Sequence, residues 1–244
     1  MITVNKKKLE GIVIKTTDYK ENNSKVSILT INGLENYIVR GTKKINSKLA
    51  LLAQPITKVE LFVTNDKVLN TVTEGVVLEN YTSIKENQKK QLVALSMLES
   101  IYYFNNHVLD KNLLYKFFLS CLNVLKHTEF PLELLNYFDI KLWYLVGIMP
   151  TFNKCVSCGD DSASYFTISQ GGNLCKNCKT HESYDEYVSN LLKITFLLKI
   201  DKLNEDFLKL ISEYREVFNK IVKLYYRQYL DYSNFNRSLI EKIL

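Results

Sequence analysis

The sequence contains no apolar run long enough to cross a bilayer; its longest, Leu142 to Met149, is far short of the roughly 20 residues a spanning helix needs. It has no phosphate-cradling loop either. Gly41-Thr42-Lys43-Lys44 lacks the second glycine and the Lys-Ser/Thr pair of a nucleotide-binding turn. The three histidines, His107, His127 and His181, stand apart from any patterned nucleophile. Proline is scarce, three in 244 residues, and no low-complexity linker or internal repeat interrupts the chain. Behind Lys6-Lys7-Lys8 there is no apolar stretch of the kind a signal peptide carries. These absences argue against a membrane protein, a P-loop enzyme, a histidine-based catalyst and a disordered chain, and nothing in the sequence supports an enzyme. What is left is a folded globular protein, 46% apolar and 24% charged, expected in the cytoplasm and long enough for one large or two ordinary domains.

Four of the five cysteines are concentrated in one stretch. Cys155-Val156-Ser157-Cys158 is followed, after sixteen intervening residues, by Cys175-Lys176-Asn177-Cys178. Two Cys-x-x-Cys turns separated by about 15 to 20 residues bring four thiolates to the corners of a tetrahedron around one zinc ion. Gly159 after the first pair and Gly171-Gly172 before the second give the turns the backbone freedom they need. With four sulfurs bound the metal has no open position, so it acts as a structural staple. Two other readings stay open: disulfides, which require an oxidising compartment, and a redox pair, which requires only one Cys-x-x-Cys beside a βαβ unit. His181 reads as an exposed loop residue, Asp160-Asp161 as turn residues of the first knuckle, and Cys121 as a small core side chain.

The formal charge is +6, and residues 1–48 hold all of it: ten basic side chains against four acidic ones. Removing these from totals of 32 and 26 leaves 22 of each sign in the rest of the chain. Such an asymmetry is the electrostatic footprint of a module that meets phosphate, although a charge run is also a common form of solvated surface. Lys15, Lys25, Arg40, Lys43, Lys44 and Lys48 are the candidate phosphate contacts. Tyr19, placed in a loop between Lys15 and Lys20, is the candidate for base stacking; Phe62 is assigned to the core.

The same region reads as β-structure. Leu9–Lys15, Ser24–Ile31 and Asn36–Arg40 are β-branched and apolar, with Asn32-Gly33 as a hairpin turn. A short helix over Lys48–Ala53 follows, then strands over Ile56–Thr64 and Val68–Thr73 joined across Asn65-Asp66, and a further strand over Gly75–Glu79. This order fits an OB-fold, with a different small barrel as the alternative. Near Tyr81 the apolar period changes from two to 3.6, predicting helices over Glu86–His107, Asp110–Lys126, Leu132–Leu145, Tyr187–Ile200 and Asn204–Leu230. The expected class is therefore α+β: an OB-fold β-barrel over residues 1–80, then a helical domain over 81–244 with an inserted four-cysteine zinc element at about 150–182.

End to end, the chain resembles the bacterial RecO family of recombination mediator proteins. The resemblance rests on Leu9-Glu10-Gly11-Ile12-Val13-Ile14-Lys15 with Asp18-Tyr19 and Glu21; on Val39-Arg40-Gly41-Thr42-Lys43-Lys44 with Ser47-Lys48-Leu49; on Leu52-Ala53-Gln54-Pro55; and on Gly147-Ile148-Met149-Pro150 leading to Cys155-x-x-Cys158-Gly159. It implies an N-terminal OB-fold, a helical C-terminal domain, and zinc on Cys155, Cys158, Cys175 and Cys178. It also implies binding of single- and double-stranded DNA, strand annealing, engagement of the acidic C-terminal tail of single-stranded-DNA-binding protein, and action with RecR to load RecA. Where the family usually has Lys-Gly-Ala-Arg-Arg, this chain has Arg40-Gly41-Thr42-Lys43-Lys44, which keeps point charge but loses the bidentate fork of arginine. Two rival classes remain: a zinc-dependent nuclease or other enzyme, and a zinc-stapled protein adaptor without direct DNA binding.

Overall fold

The computed structural model describes residues 6–64 and 70–243. The chain forms two compact units, Met1–Asn106 with Asp110–Leu122, and His107–Leu109 with Asn123–Leu244. Among the described residues no helix is long and apolar enough to cross a membrane.

The first unit is built on five strands: β1 (Lys6–Tyr19), β2 (Asn23–Thr30), β3 (Gly33–Val39), β4 (Thr57–Thr64) and β5 (Thr71–Glu79). They close into a barrel of order β1-β2-β3-β5-β4, the connectivity of an OB-fold. Long β1 serves two neighbours. Lys6–Val13 pairs with β4, Ile12–Tyr19 pairs with β2, and a register shift between Val13 and Lys15 lets the strand coil from one partner to the other. Alternation sets the interior: Leu9, Val13, Val26, Ile28, Val39, Val59, Leu61, Val63 and Val72 face one another inside, capped by Leu52 and Ala53 of a 3-10 turn at Leu51–Ala53. Closure between β3 and β5 is parallel and, among the described residues, made by the register pairs Ile38↔Thr71 and Val39↔Val72.

Several expectations change here. Residues 71–79 form one strand, not two separated near Gly75. Gly75 lies opposite Leu61, and a Cβ there would stand 2.5 Å from a Leu61 methyl, so the glycine permits the close pairing that keeps the strand intact. Phe62 is only half-buried, because Leu61 and Val63 take the inward positions on either side of it. Tyr37 is the aromatic residue of the barrel core, 2% exposed. The helix expected over Lys48–Ala53 is reduced to the 3-10 turn, and the hairpin across Asn65-Asp66 lies outside the described residues.

Helix α1 (Thr82–Lys85), α2 (Gln88–Phe104) and the first part of α3 (Lys111–His127) share the barrel's unit. Asn105 accepts a hydrogen bond from the Leu34 amide (3.1 Å), and the Tyr115 hydroxyl donates to Glu10 (3.3 Å). Cys121 of α3 is fully buried, as a core side chain.

The second unit is organised around α4 (Pro131–Leu145), which opens on proline at its first turn and buries residues on every face, Trp143 among them. Around it stand α5 (Glu186–Leu197), α6 (Glu205–Ser212), α7 (Arg215–Leu230) and α8 (Phe235–Ile243). The single helix expected over Asn204–Leu230 is broken at Tyr214, whose backbone (φ −115°, ψ 19°) leaves the helical region while its ring stacks on Tyr187. No glycine or proline marks that break, and the apolar period runs straight across it. Helix α8 was not anticipated; Asn234 caps it by accepting from the Arg237 amide (2.8 Å). From α8, Arg237 reaches into the interior to pair with Asp139 and to donate to Asn136 and Asn219.

Candidate metal centre and nucleic-acid interface

The cysteine stretch folds as two tight turns flanking a small hairpin, β6 (Tyr165–Thr167) and β7 (Gly172–Leu174). In the first turn the Gly159 amide donates to Cys155 O (2.8 Å) and the Cys155 amide to Asp160 O (2.7 Å); in the second the Cys178 and Lys179 amides both donate to Cys175 O (3.1 and 3.0 Å). Gly172 lets the hairpin meet the strand-like bridge at Thr151, since a Cβ there would lie 2.5 Å from Thr151 O. Asn173, 1% exposed, ties the element together. Its amide donates to Phe152 O and Ala163 O, and its carbonyl accepts from Ser189 of α5 (2.8 Å). Spacing arguments had missed Asn173, since the only local signal is an asparagine inside an expected hairpin.

The four sulfurs lie within 4.8 Å of one another. Cys158 Sγ and Cys175 Sγ are 3.7 Å apart. A tetrahedron with metal–sulfur bonds of about 2.3 Å has sulfur–sulfur edges of about 3.8 Å, so this donor set fits a metal of zinc's size. The thiols already perturb one another. Burial raises Cys155, but the backbone amides of Cys175, Cys158 and Ser157 outweigh it and hold the thiol down at about 6. For Cys158 the Asp160 amide pulls downward, and the neighbouring sulfurs of Cys155, Cys178 and Cys175 push it up to about 12. Four thiolates this close cannot all ionise without a cation among them. His181 stays outside the set, its side chain 92% exposed and 3.9 Å from Glu182. Asp160 accepts from the Ser162 amide and hydroxyl (2.6 and 2.5 Å), which makes it a turn residue.

At the barrel, the segment after β3 is clamped to the tip of the β1–β2 hairpin. The Gly41 amide donates to Asn23 Oδ1 (3.0 Å), the Ser24 and Thr42 hydroxyls bond to each other (2.7 Å), and the Lys43 amide donates to Asn22 O (3.4 Å). Residues 40–48 contain Arg40, Lys43, Lys44 and Lys48 and no acid. All four cations are exposed, and the clamp places Arg40, Lys43 and Lys44 beside the strand that carries exposed Lys25. Lys43 contacts Asp18 at 2.6 Å, an exposed and therefore exchangeable pair. Tyr19 is not in a loop: it closes β1 opposite Asn23, half-buried, with the Lys20 ammonium 5.5 Å from its ring centroid. Lys15 sits farther along β1, its ammonium 4.3 Å over the Tyr102 ring of α2.

Residues 1–81 match the family model described as Recombination protein O N terminal, and residues 93–237 match that described as Recombination protein O C terminal. The chain belongs to the RecO family. It is similar to the DNA repair protein RecO of Listeria monocytogenes serotype 4b, 28% identical over 228 residues, 91% of this chain and 89% of that protein. The RecO of Syntrophomonas wolfei is 32% identical over 183 residues (71% and 70%), and that of Alkaliphilus metalliredigens 29% over 242 residues (96% and 98%). Both parts of the RecO architecture, the barrel and the helical unit bearing the four-cysteine cluster, are thus present in one DNA repair protein.

Proposed function

We propose that this chain is a cytoplasmic, non-enzymatic recombination mediator. It binds single- and double-stranded DNA without reading sequence, anneals complementary strands, and with RecR helps load RecA on DNA coated by single-stranded-DNA-binding protein. The observation that carries this reading is the acid-free cationic segment Arg40–Lys48, fixed by hydrogen bonds at one end of the barrel beside Lys25 and Tyr19. Cations held on a rigid scaffold neutralise phosphates and release counterions, giving affinity that is indifferent to sequence and falls with salt. Screening two backbones while leaving their base edges free allows pairing energy to drive annealing, with no nucleotide cofactor. In this reading residues 1–80 are the DNA-binding module, with Lys15, Tyr19, Lys25, Arg40, Lys43, Lys44 and Lys48 as contacts. Cys155, Cys158, Cys175 and Cys178 hold a structural zinc in the helical part.

The acidic tail of single-stranded-DNA-binding protein is assigned in this reading to a cleft of about 560 Å³ between α4, α7 and α8. Leu132, Leu135 and Ile240 supply an apolar wall and Lys220, Lys223 and the Glu133-paired Arg215 a cationic one, with Glu216 the single acid on it, the pairing that an acidic peptide with apolar side chains requires.

The test is annealing of two complementary oligonucleotides, each coated with single-stranded-DNA-binding protein, with no nucleotide present. Acceleration that fades with added salt supports the mediator. No acceleration from a folded, zinc-loaded chain leaves the zinc-stapled adaptor as the better account.

A further inference from the structure

The helical unit contains a second cleft, of about 650 Å³, between the zinc hairpin, the segment 181–184 and α7. From α7 it receives Lys220, Arg227, Leu224 and Gln228; from the hairpin Thr167 and Ser169; from the segment His181, Ser183 and Tyr184. We propose that this cleft is a second strand-binding surface, which holds the phosphodiester backbone of a nucleic-acid strand apart from the barrel face. The proposal rests on the mediator reading and deepens it.

Three observations carry it. The first is charge: α7 has four basic residues and one acidic residue over Arg215–Leu230, in a unit whose remaining residues carry eleven basic and fourteen acidic side chains. Lys220 and Arg227, seven residues and about two turns apart, share one helix face and both line the cleft. Glu182, beside His181, is the one acid lining the cleft.

The second is the kind of donor. Hydroxyls, a carboxamide, an imidazole and two long cations form the set that contacts phosphate and sugar oxygens. The apolar lining is limited to Leu224 and Ile168, too little to anchor a peptide by buried side chains. This distinguishes it from the neighbouring cleft, walled by Leu132, Leu135 and Ile240.

The third is preorganisation. The Tyr229 hydroxyl of α7 donates to Ile168 O (2.7 Å) and the Tyr184 amide donates to Phe166 O (2.8 Å), so hydrogen bonds tie the hairpin to both the helix and the segment. Thr167 and Ser169 hydroxyls bond each other at 3.0 Å, holding the rim in place. A cleft whose walls are fixed beforehand loses little freedom when it binds. A chain with two such surfaces can hold two strands at once, which is the geometric requirement for bringing complementary strands together.

The test compares the full chain with Lys220→Ala/Arg227→Ala and with Arg40→Ala/Lys43→Ala/Lys44→Ala, using short labelled oligothymidylate. Titration at low salt gives the number of strands per chain, and repeated titrations give the salt slope. The proposal expects two strands on the parent chain and one on each variant. It also expects the slope of log affinity against log salt for the α7 variant to fall by about 1.4 for two lost single-strand contacts. Lys220→Arg/Arg227→Lys restores both, and all variants keep the parent's melting temperature. Parent stoichiometry and slope in the α7 variant overturn the proposal and leave the barrel reading standing. Loss of binding in the α7 variant with none in the barrel variant upholds the cleft and displaces the barrel face. An Arg227→Ala chain, altered outside the neighbouring cleft, that binds oligothymidylate as the parent does yet loses an acidic peptide makes the cleft a protein-docking site and overturns the proposal.

Discussion

The two units use charge in different ways. In the barrel the ion pairs lie outside: Lys8 with Glu60 (2.9 Å), Lys58 with Glu10 (2.8 Å) and Lys43 with Asp18 (2.6 Å), over an interior that is apolar. The helical unit, besides surface contacts such as Lys154 with Asp161, also carries charges inside. Asp139 and Arg237 are 2% and 6% exposed, and Glu133, fully buried, meets Arg215. Surface pairs cost little to exchange for a phosphate, so the barrel's charge is available for binding. Buried charges cannot leave without stranding their partners, so Asp139, Arg237 and Glu133 specify structure.

The largest effect expected is on the cysteine cluster. In the zinc reading, chelation or Cys175→Ser removes a contribution on the order of 10 kcal/mol in isolated zinc modules. The helical unit's thermal transition should collapse while the barrel's persists, and metal analysis of the native chain should return one zinc. Equal melting curves with and without chelator would contradict the contrast between the units.

Next comes the buried pair. Asp139→Asn leaves the Arg237 charge unmatched and should cost about 3–5 kcal/mol by denaturant titration at neutral pH. Asp139→Leu/Arg237→Met should recover most of that loss. Burial raises the Asp139 carboxyl to about 6 against the opposing pull of Arg237, which means desolvation outweighs attraction. The folded chain then binds this proton more tightly than the unfolded one, so the group's stabilising contribution is present below about pH 4. It is lost as pH rises through about 6. Stability curves of the Asp139→Leu/Arg237→Met variant should lack that component.

On the barrel, Arg40→Ala/Lys43→Ala/Lys44→Ala should leave the melting temperature unchanged and lower the salt slope of DNA binding by about 0.7 to 0.9 per lost contact. The smallest effect belongs to Asp18→Asn. Freeing Lys43 from its carboxylate should alter stability by less than about 1 kcal/mol and strengthen DNA binding slightly, an increase that disappears at high salt.

What could be read from the sequence was what short-range pattern encodes. Alternation gave the barrel strands, Asn32-Gly33 the turn before β3, and Cys-x-x-Cys spacing the four-cysteine cluster, because each depends on residues close along the chain. Features made by distant segments were not legible. The clamp between 22–24 and 41–43, the ammonium of Lys15 over Tyr102, and the Arg237–Asp139 pair join residues whose meeting only the fold decides. The break at Tyr214 was hidden for another reason: tertiary stacking on Tyr187, not a breaker residue, stops the helix. Lys220, Lys223 and Arg227 went unremarked because the charge balance after residue 48 concealed a local excess on one helix face.

The brief parallel contact between β3 and β5 also bears on motion. Among the described residues, this seam has two register pairs, with the Ile38 amide bonded to Asn70 O (2.9 Å), and is the shortest of the barrel's ladders. Subglobal opening should therefore begin at this hem, and the Ile38 amide should exchange its hydrogen for deuterium ahead of those in the β1–β4 ladder. Arg40 lies two residues beyond Ile38. The cationic segment thus begins beside the seam expected to open first, and a strand bound across it should slow that exchange.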